Sequence, residues 1–383
     1  MRVLIAPDKF KGSLSALQAA QAMERGVRAA MPDAAAALCP LADGGEGTVE
    51  ALVSLPGGRS VRISVTDPLG DIVEARFGVI EPKSGSTRRA TKTAVIESAL
   101  ASGLSLVPPA KRNPMITTSF GTGELIQAAL NEGCERVIVG IGGSATTDGG
   151  MGMAQALGVV FLDAAGVEIG LGSGQYLSDI ADIDLSGLDE RIGKTEFIIA
   201  SDVRNPLCGP DGAAYVYGPQ KGATPEMVKR LDAGLANYAA VIEEKTDRSV
   251  KNSPGAGAAG GLGAGLMAFL GAQMQSGVEV IMDAIDFDRR LKGVDLVLTG
   301  EGRIDGQTLY GKVVSGVAGR AKSENIRVIA IAGEVTADAK PLLDKGVSDM
   351  HQFVRPNMTY EYAISHAGEL LEEETAEILA EME

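Results

Sequence analysis

Two stretches of this chain repeat one pattern of acid and glycine. Asp43-Gly44-Gly45-Glu46-Gly47-Thr48-Val49-Glu50-Ala51-Leu52 and Asp148-Gly149-Gly150-Met151-Gly152-Met153-Ala154-Gln155-Ala156-Leu157 both read Asp-Gly-Gly-x-Gly-x-x-x-Ala-Leu. A carboxylate flanked by glycines offers an oxygen to Mg²⁺ or to a substrate hydroxyl. The glycines let backbone N–H groups and a helix N-terminus approach an anion. A capping Asp and a Gly at positive φ would leave the same letters with no ligand involved. The repetition, beside other loops of glycine and acid, weighs against that plainer account.

Three further loops combine carboxylates, cations and amides. Asp8-Lys9-Phe10-Lys11-Gly12-Ser13 follows a short apolar run, and Ser201-Asp202-Val203-Arg204-Asn205-Pro206-Leu207 follows residues 197–200. Gly300-Glu301-Gly302-Arg303-Ile304-Asp305 is expected as a loop after a strand over residues 294–299, and Gly218-Pro219-Gln220-Lys221-Gly222-Ala223-Thr224 adds a lysine between glycines. Phosphoryl transfer accounts for this inventory: it needs cations, backbone donors and Mg²⁺ around the moving group, and a carboxylate to orient the attacking hydroxyl. Metal-assisted hydrolysis could use the same acids. Histidine triads and zinc sites are nearly excluded, because the chain has two histidines, His351 and His366, both near its end.

Two familiar signatures lack their context. Gly306-Gln307-Thr308-Leu309-Tyr310-Gly311-Lys312 matches Gly-x4-Gly-Lys, but Val313 stands where Ser or Thr would hold Mg²⁺, and the preceding strand is expected to end several residues early. Gly255-Ala256-Gly257-Ala258-Ala259-Gly260 matches Gly-x-Gly-x-x-Gly but follows a charged segment and Pro254 rather than a strand. A glycine-rich helix entry facing a ligand is its functional reading, with tight helix packing as the alternative.

The elements that must hold these loops are legible from periodicity. A first strand over residues 3–6, a helix over 13–31 capped by Ser13 or Ser15, and a strand over 36–41 open the chain as β-α-β. Residues 294–299, 313–321, 328–332 and 350–354 repeat that alternation, so the two ends are expected to form one doubly wound, mostly parallel sheet. Between them, alternating strands over 60–65, 72–80 and 93–98 and longer helices suggest a second, mixed α/β domain inserted in the first. The expected limits are 1–60 with 289–383 for the outer domain and 61–288 for the inner one; residues 83–90 read as an exposed hairpin tip. A length of 383 residues favours two cores.

The formal charge of -15, with no basic cluster beyond residues 83–92, argues against nucleic acid. No apolar run is long enough for a membrane span. Cys39, Cys134 and Cys208 are odd in number and widely spaced, which fits a reducing, cytoplasmic setting. Both a monomer and a homodimer are compatible with the sequence.

Read together, Ala6 to Ser13, Pro40 to Thr48, Gly140 to Gly150, Asp202 to Pro206, Gly218 to Thr224 and Thr299 to Thr308 resemble the type I glycerate kinase family nearly end to end. Lys9 and Thr147 depart from the family pattern, which has Ser and Asn there. The resemblance implies two α/β domains with the active site in their cleft, and ATP- and Mg²⁺-dependent phosphorylation of D-glycerate to 2-phosphoglycerate. Product 3-phosphoglycerate, another small hydroxy acid, or a non-catalytic acid sensor are the alternatives. On residue chemistry, Lys11 and Arg303 would hold the substrate carboxylate or the phosphoryl group. Asp202, ahead of Asp8 and Asp43, would orient the hydroxyl, with Asp43, Glu46, Ser13 and Asn205 around the substrate. Gly142, Gly143, Ser144, Gly255, Gly257 and Lys221 would face ATP phosphates, and Asp148, Glu301 and Asp305 would hold Mg²⁺.

Overall fold

The computed structural model describes residues 1–55, 57–81 and 91–382; the expected hairpin tip at 83–90 lies outside them. Numbered along the chain, the strands are β1 (Arg2–Ile5), β2 (Ala35–Leu38), β3 (Gly58–Thr66), β4 (Ile72–Ile80), β5 (Thr93–Glu97), β6 (Arg136–Gly140), β7 (Val160–Leu162), β8 (Asp182–Asp184), β9 (Glu196–Ala200), β10 (Gln273–Gln275), β11 (Leu296–Ile304), β12 (Arg327–Val335) and β13 (Asp349–Gln352). The fold is α/β, with one parallel and one mixed sheet. It divides into two compact units, one of Met1–Asp43, Glu50–Pro56 and Ser276–Glu383, the other of Gly44–Val49 and Gly57–Gln275.

The first unit is built on a five-stranded sheet in the order β13-β12-β11-β1-β2, parallel throughout. Alternate residues of β12 serve its two faces. Ile329 and Ile331 pack with Met23, Val27 and Leu371, while Ala330 and Ala332 pack with Val314 and Ala318. Strands buried on both faces read as near-continuous apolar runs for this reason. The helix Ala16–Ala30 starts at Ser15, whose side chain accepts from the Gln18 N–H while Gln18 returns a bond to the Ser15 N–H. This reciprocal cap settles the choice between Ser13 and Ser15, and the Ser13 hydroxyl instead donates to the Phe10 carbonyl at 3.0 Å.

β11 departs from expectation. It runs through Ile304, pairing with β12 as far as Ile304–Val335, so Glu301 and Arg303 sit on a strand rather than in a loop after one. The glycines permit this, because a Cβ at Gly300 would collide with the Ile331 carbonyl. The strand therefore ends only two residues before Gly306, closer to the Gly-x4-Gly-Lys segment than its apolar run implied.

The second unit carries a six-stranded mixed sheet, β10-β9-β6-β5-β4-β3, antiparallel among β3, β4 and β5 and parallel from β5 to β10. A two-stranded ribbon, β7 with β8, stands apart from it. Among the described residues no helix is long and apolar enough to cross a membrane. Cys39, Cys134 and Cys208 are free thiols, each pushed up to about 11 by burial, which leaves little thiolate near neutral pH.

Candidate active site

In the first unit the strand order reverses between β1 and β11, since β2 lies on one side of β1 and β11 to β13 extend on the other. Ligands bind at such reversal points, outside the carboxyl ends of the strands. Asp8 follows β1 there, its N–H bonded to the Gly300 carbonyl of β11 at 2.8 Å. Its side chain is 6% exposed and accepts the Lys9 N–H at 2.7 Å. Burial, then the charge of Asp43, and more weakly that of Glu301, push the Asp8 carboxyl up to about 7 against the pull of Lys9. Asp43, after β2, is half-buried.

On β11, the buried Glu301 accepts the Thr308 hydroxyl at 2.6 Å, and Lys312 Nζ stands 3.5 Å from it. Burial raises the Glu301 carboxyl, opposed by Thr308 and Lys312. Asp305 caps the turn Gly306–Leu309, accepting the Gln307 N–H, and lies 3.8 Å from both Lys312 and Arg303. Arg303 is exposed and also meets Glu334 at 3.5 Å. Lys11 is exposed, and its backbone lies against Gly302.

The second unit presents its loops at the carboxyl ends of β5, β6 and β9. Gly142 and Gly143 are exposed just after β6, with Gly143 at φ +75°. Beneath them Lys221 is 2% exposed, and its Nζ donates to Ser144 Oγ at 2.8 Å and to the Thr146 carbonyl at 2.5 Å. Desolvation lowers this ammonium to about 7, with Asp148 pulling the other way. Among the described residues no carboxylate lies within ion-pairing distance of Lys221, so its charge supports the turn rather than a salt bridge. Asp202 and Glu46 are exposed. Asn205 is committed to the fold, donating to the Asp211 carbonyl and accepting from the Tyr217 hydroxyl, each at 2.8 Å.

Three expectations change. Asp148 is fully buried, and its carboxylate accepts from Ser119 N (2.8 Å), Ser119 Oγ (2.6 Å), Gly150 N (3.2 Å) and Gly152 N (3.3 Å). It locks the start of the helix Met151–Ala156 and has no surface to offer Mg²⁺. Gly255 and Gly257 are buried too. A Cβ at Gly257 would collide with the Pro206 carbonyl, and the Gly257 N–H is spent on the Asn205 carbonyl at 3.0 Å. The packing account of that glycine segment is the right one for Gly257, and a Cβ at Gly255 would strike the Met274 methyl.

Sequence reasoning passed over two residues. Lys312 was visible only inside the discounted Gly-x4-Gly-Lys match. Glu97, buried at the end of β5, accepts Val49 N at 2.6 Å and Gly47 N at 3.2 Å. Its signal was an acid closing an apolar strand, the feature that singled out the other loops.

Of the carboxylates expected for magnesium, Glu301 and Asp305 both lie near Lys312 in the first unit, and Asp148 is buried in the second. Among the described residues no three His, Cys, Asp or Glu side chains converge as a metal group. Asp148 is sealed, and Glu301 and Asp305 already share the Lys312 ammonium. The nucleotide fares better, since an exposed glycine turn over a buried cation suits phosphate.

Comparison with known proteins identifies the family. Residues 3–383 match the glycerate kinase family. The glycerate kinase of Bacillus subtilis strain 168 is 49% identical over 380 residues, covering 99% of this chain and 97% of that protein. The glycerate 2-kinase of Escherichia coli K12 is 50% identical over 347 residues, 91% of this chain and 89% of that protein. A crystal structure from Salmonella typhimurium LT2, of a protein assigned as glycerate kinase 2, superposes with a TM-score of 0.88 at 48% identity, over 100% of this chain and 98% of that one. Parallel α/β sheets with acids, cations and glycine turns at strand ends, and these likenesses, define an α/β kinase. The chain belongs to the glycerate kinase family.

Proposed function

We propose that this kinase transfers the γ-phosphoryl group of ATP to the 2-hydroxyl of D-glycerate, giving 2-phosphoglycerate and ADP. The observation that carries the reading is Asp8: a carboxyl at the reversal point of a parallel sheet, held near 7 by burial and by Asp43. A base poised near the working pH is what a hydroxyl nucleophile needs. Asp8 therefore takes the role first given to Asp202. As the hydroxyl oxygen bonds to the γ-phosphorus and the bond to the β–γ bridging oxygen breaks, Asp8 accepts the hydroxyl proton. Lys11 and Arg303, exposed on the same unit, offset the negative charge of the substrate carboxylate and the moving group. The Gly142–Ser144 turn, supported by Lys221, receives phosphate oxygens. Magnesium carried on the nucleotide phosphates, its usual mode of binding, would supply further charge neutralisation there without a cage of protein carboxylates.

The identity between this chain and a relative named glycerate 2-kinase supports the choice of hydroxyl. The test is a Mg²⁺-dependent reaction of ATP with D-glycerate read by ³¹P NMR. A 2-phosphoglycerate resonance is expected. A 3-phosphoglycerate resonance would overturn the regiochemistry, and absence of any phosphorylated product from folded protein would overturn the substrate.

A further inference from the structure

One cation of the second unit has no counter-ion and no role so far. Arg112 is half-buried, its Nε is shut off from solvent without a hydrogen-bond partner, and among the described residues no carboxylate pairs with it. In a chain with 50 acids to 35 bases that is unusual; Arg320, by contrast, takes Glu279, Asp283 and Asp288 together. A buried guanidinium N–H without an acceptor costs free energy, and such donors are normally met by protein, water or ligand. The segment that carries Arg112 is stiff. Pro108, Pro109 and Pro114 restrict the backbone around it, and Arg112 closes the 3₁₀ turn Pro109–Lys111. Asn113 follows with its Oδ1 accepting Met115 N at 3.0 Å.

This segment is stitched to the loop that contains the Gly142–Ser144 turn, and all of it lies within the second unit. Before Arg112, Leu104 N donates to the Gly143 carbonyl at 2.8 Å; after it, the Thr117 hydroxyl donates to the Ala145 carbonyl at 3.0 Å. At Arg112 itself the neighbour is Gly222, next to Lys221. A Cβ on Gly222 would stand 2.3 Å from the Arg112 carbonyl and 3.1 Å from the Arg112 Cβ, so only glycine lets the two segments close. We infer that Arg112 is a phosphate-binding residue for the nucleotide, its guanidinium fork taking oxygens of the ATP phosphates at the Gly142–Ser144 turn. The two cations divide the work. Lys221, buried beneath the turn, spends its ammonium on Ser144 and Thr146, whereas Arg112 is bonded to nothing in the protein and keeps part of its surface. A guanidinium matches phosphate with two parallel bonds, which a point charge cannot do. Polar capacity is also unspent around them: Ser98 Oγ after β5, and Thr146 Oγ1 and Thr147 Oγ1 after β6, are buried hydroxyls without partners.

The inference rests on the reading that ATP phosphates meet the Gly142–Ser144 turn, and the experiment separates the two. Arg112→Gln is expected to raise the Kd for ATP by about tenfold or more while KM for D-glycerate moves by less than about twofold. Its melting temperature without ligand should stay within about 2 °C of wild type, and the rise produced by ATP should shrink. Arg112→Lys keeps the charge without the fork and should recover only part of the affinity. Gly142→Asp sets an acid on the exposed turn and should weaken ATP whether or not Arg112 takes part. Unchanged ATP affinity in Gly142→Asp would overturn the reading of the turn, whereas weakened ATP in Gly142→Asp beside unchanged ATP in Arg112→Gln would overturn this inference alone. A raised KM for D-glycerate at unchanged ATP affinity would move Arg112 to the substrate carboxylate and overturn the phosphate assignment. A lowered melting temperature with ATP affinity intact would leave Arg112 a structural residue and overturn it too. Should Arg112→Gln fail to fold, Arg112→Lys carries the same comparison.

Discussion

Replacing Asp8 by Asn should stabilise the protein at alkaline pH while crippling it as a catalyst. The carboxyl sits at about 7 in the folded chain against an ordinary value of 3.8. A raised acid binds a proton in the folded state that the unfolded state has already released, so stability falls as pH rises between those two values. The full difference corresponds to a penalty of about 4 kcal/mol above pH 7, with about 1.7 kcal/mol of it present at pH 5. Asn carries no such penalty. The stability of Asp8→Asn relative to wild type should therefore shift by about 2.6 kcal/mol in favour of the variant between pH 5 and pH 8. Urea unfolding of both proteins at the two pH values measures this, each pair compared at one pH so that other titrating groups cancel. Turnover should fall by about 10² to 10⁴, the usual worth of a positioned base. A relative stability that stays flat with pH would refute the account of Asp8, whatever the activity did.

Two other buried charges make opposite claims. Lys221 is lowered to about 7 from 10.5 by burial, so the cost of its charge is fullest below pH 7 and fades toward pH 10.5. Wild type should gain stability on Lys221→Met between pH 7 and 10, and the variant should bind ATP more weakly at pH 6; a constant stability difference in parallel unfolding curves would rule this out. Asp148→Asn should cost about 2–4 kcal/mol by leaving buried N–H donors of Ser119, Gly150 or Gly152 poorly met. Its dependence on Mg²⁺ concentration should match wild type, and a raised Mg²⁺ requirement at unchanged stability would restore Asp148 as a metal ligand.

Much of the framework was legible because its signals are local. The β-α-β opening, the alternation near the other end, and the placing of Asp8, Gly142–Ser144 and Asp202 after strands follow from apolar periodicity and capping over windows of a dozen residues. The run of β11 through Glu301 and Arg303 was not legible, because glycine-rich acidic segments read as loops until a neighbouring strand supplies partners. Gly257 likewise looked like a donor facing a ligand, and only the Pro206 and Asn205 carbonyls beside it show that its lack of a side chain serves packing.

The sharpest case is the repeated loop. From its letters alone each copy offered one carboxylate to chemistry, and the sequence could establish only that both follow a strand and precede a helix. The tertiary structure made them unlike. Ser119, 29 residues before Asp148, and the ring of Tyr238, against which a Cβ at Gly149 would press, enclose the second copy and turn its acid into an anchor. Glu97 anchors the first copy from another strand, and Asp43 keeps its place beside Asp8. Whether a carboxylate caps backbone or meets substrate depends on which distant residues reach its N–H partners first, and that is set by packing between elements rather than by the pattern around the acid itself.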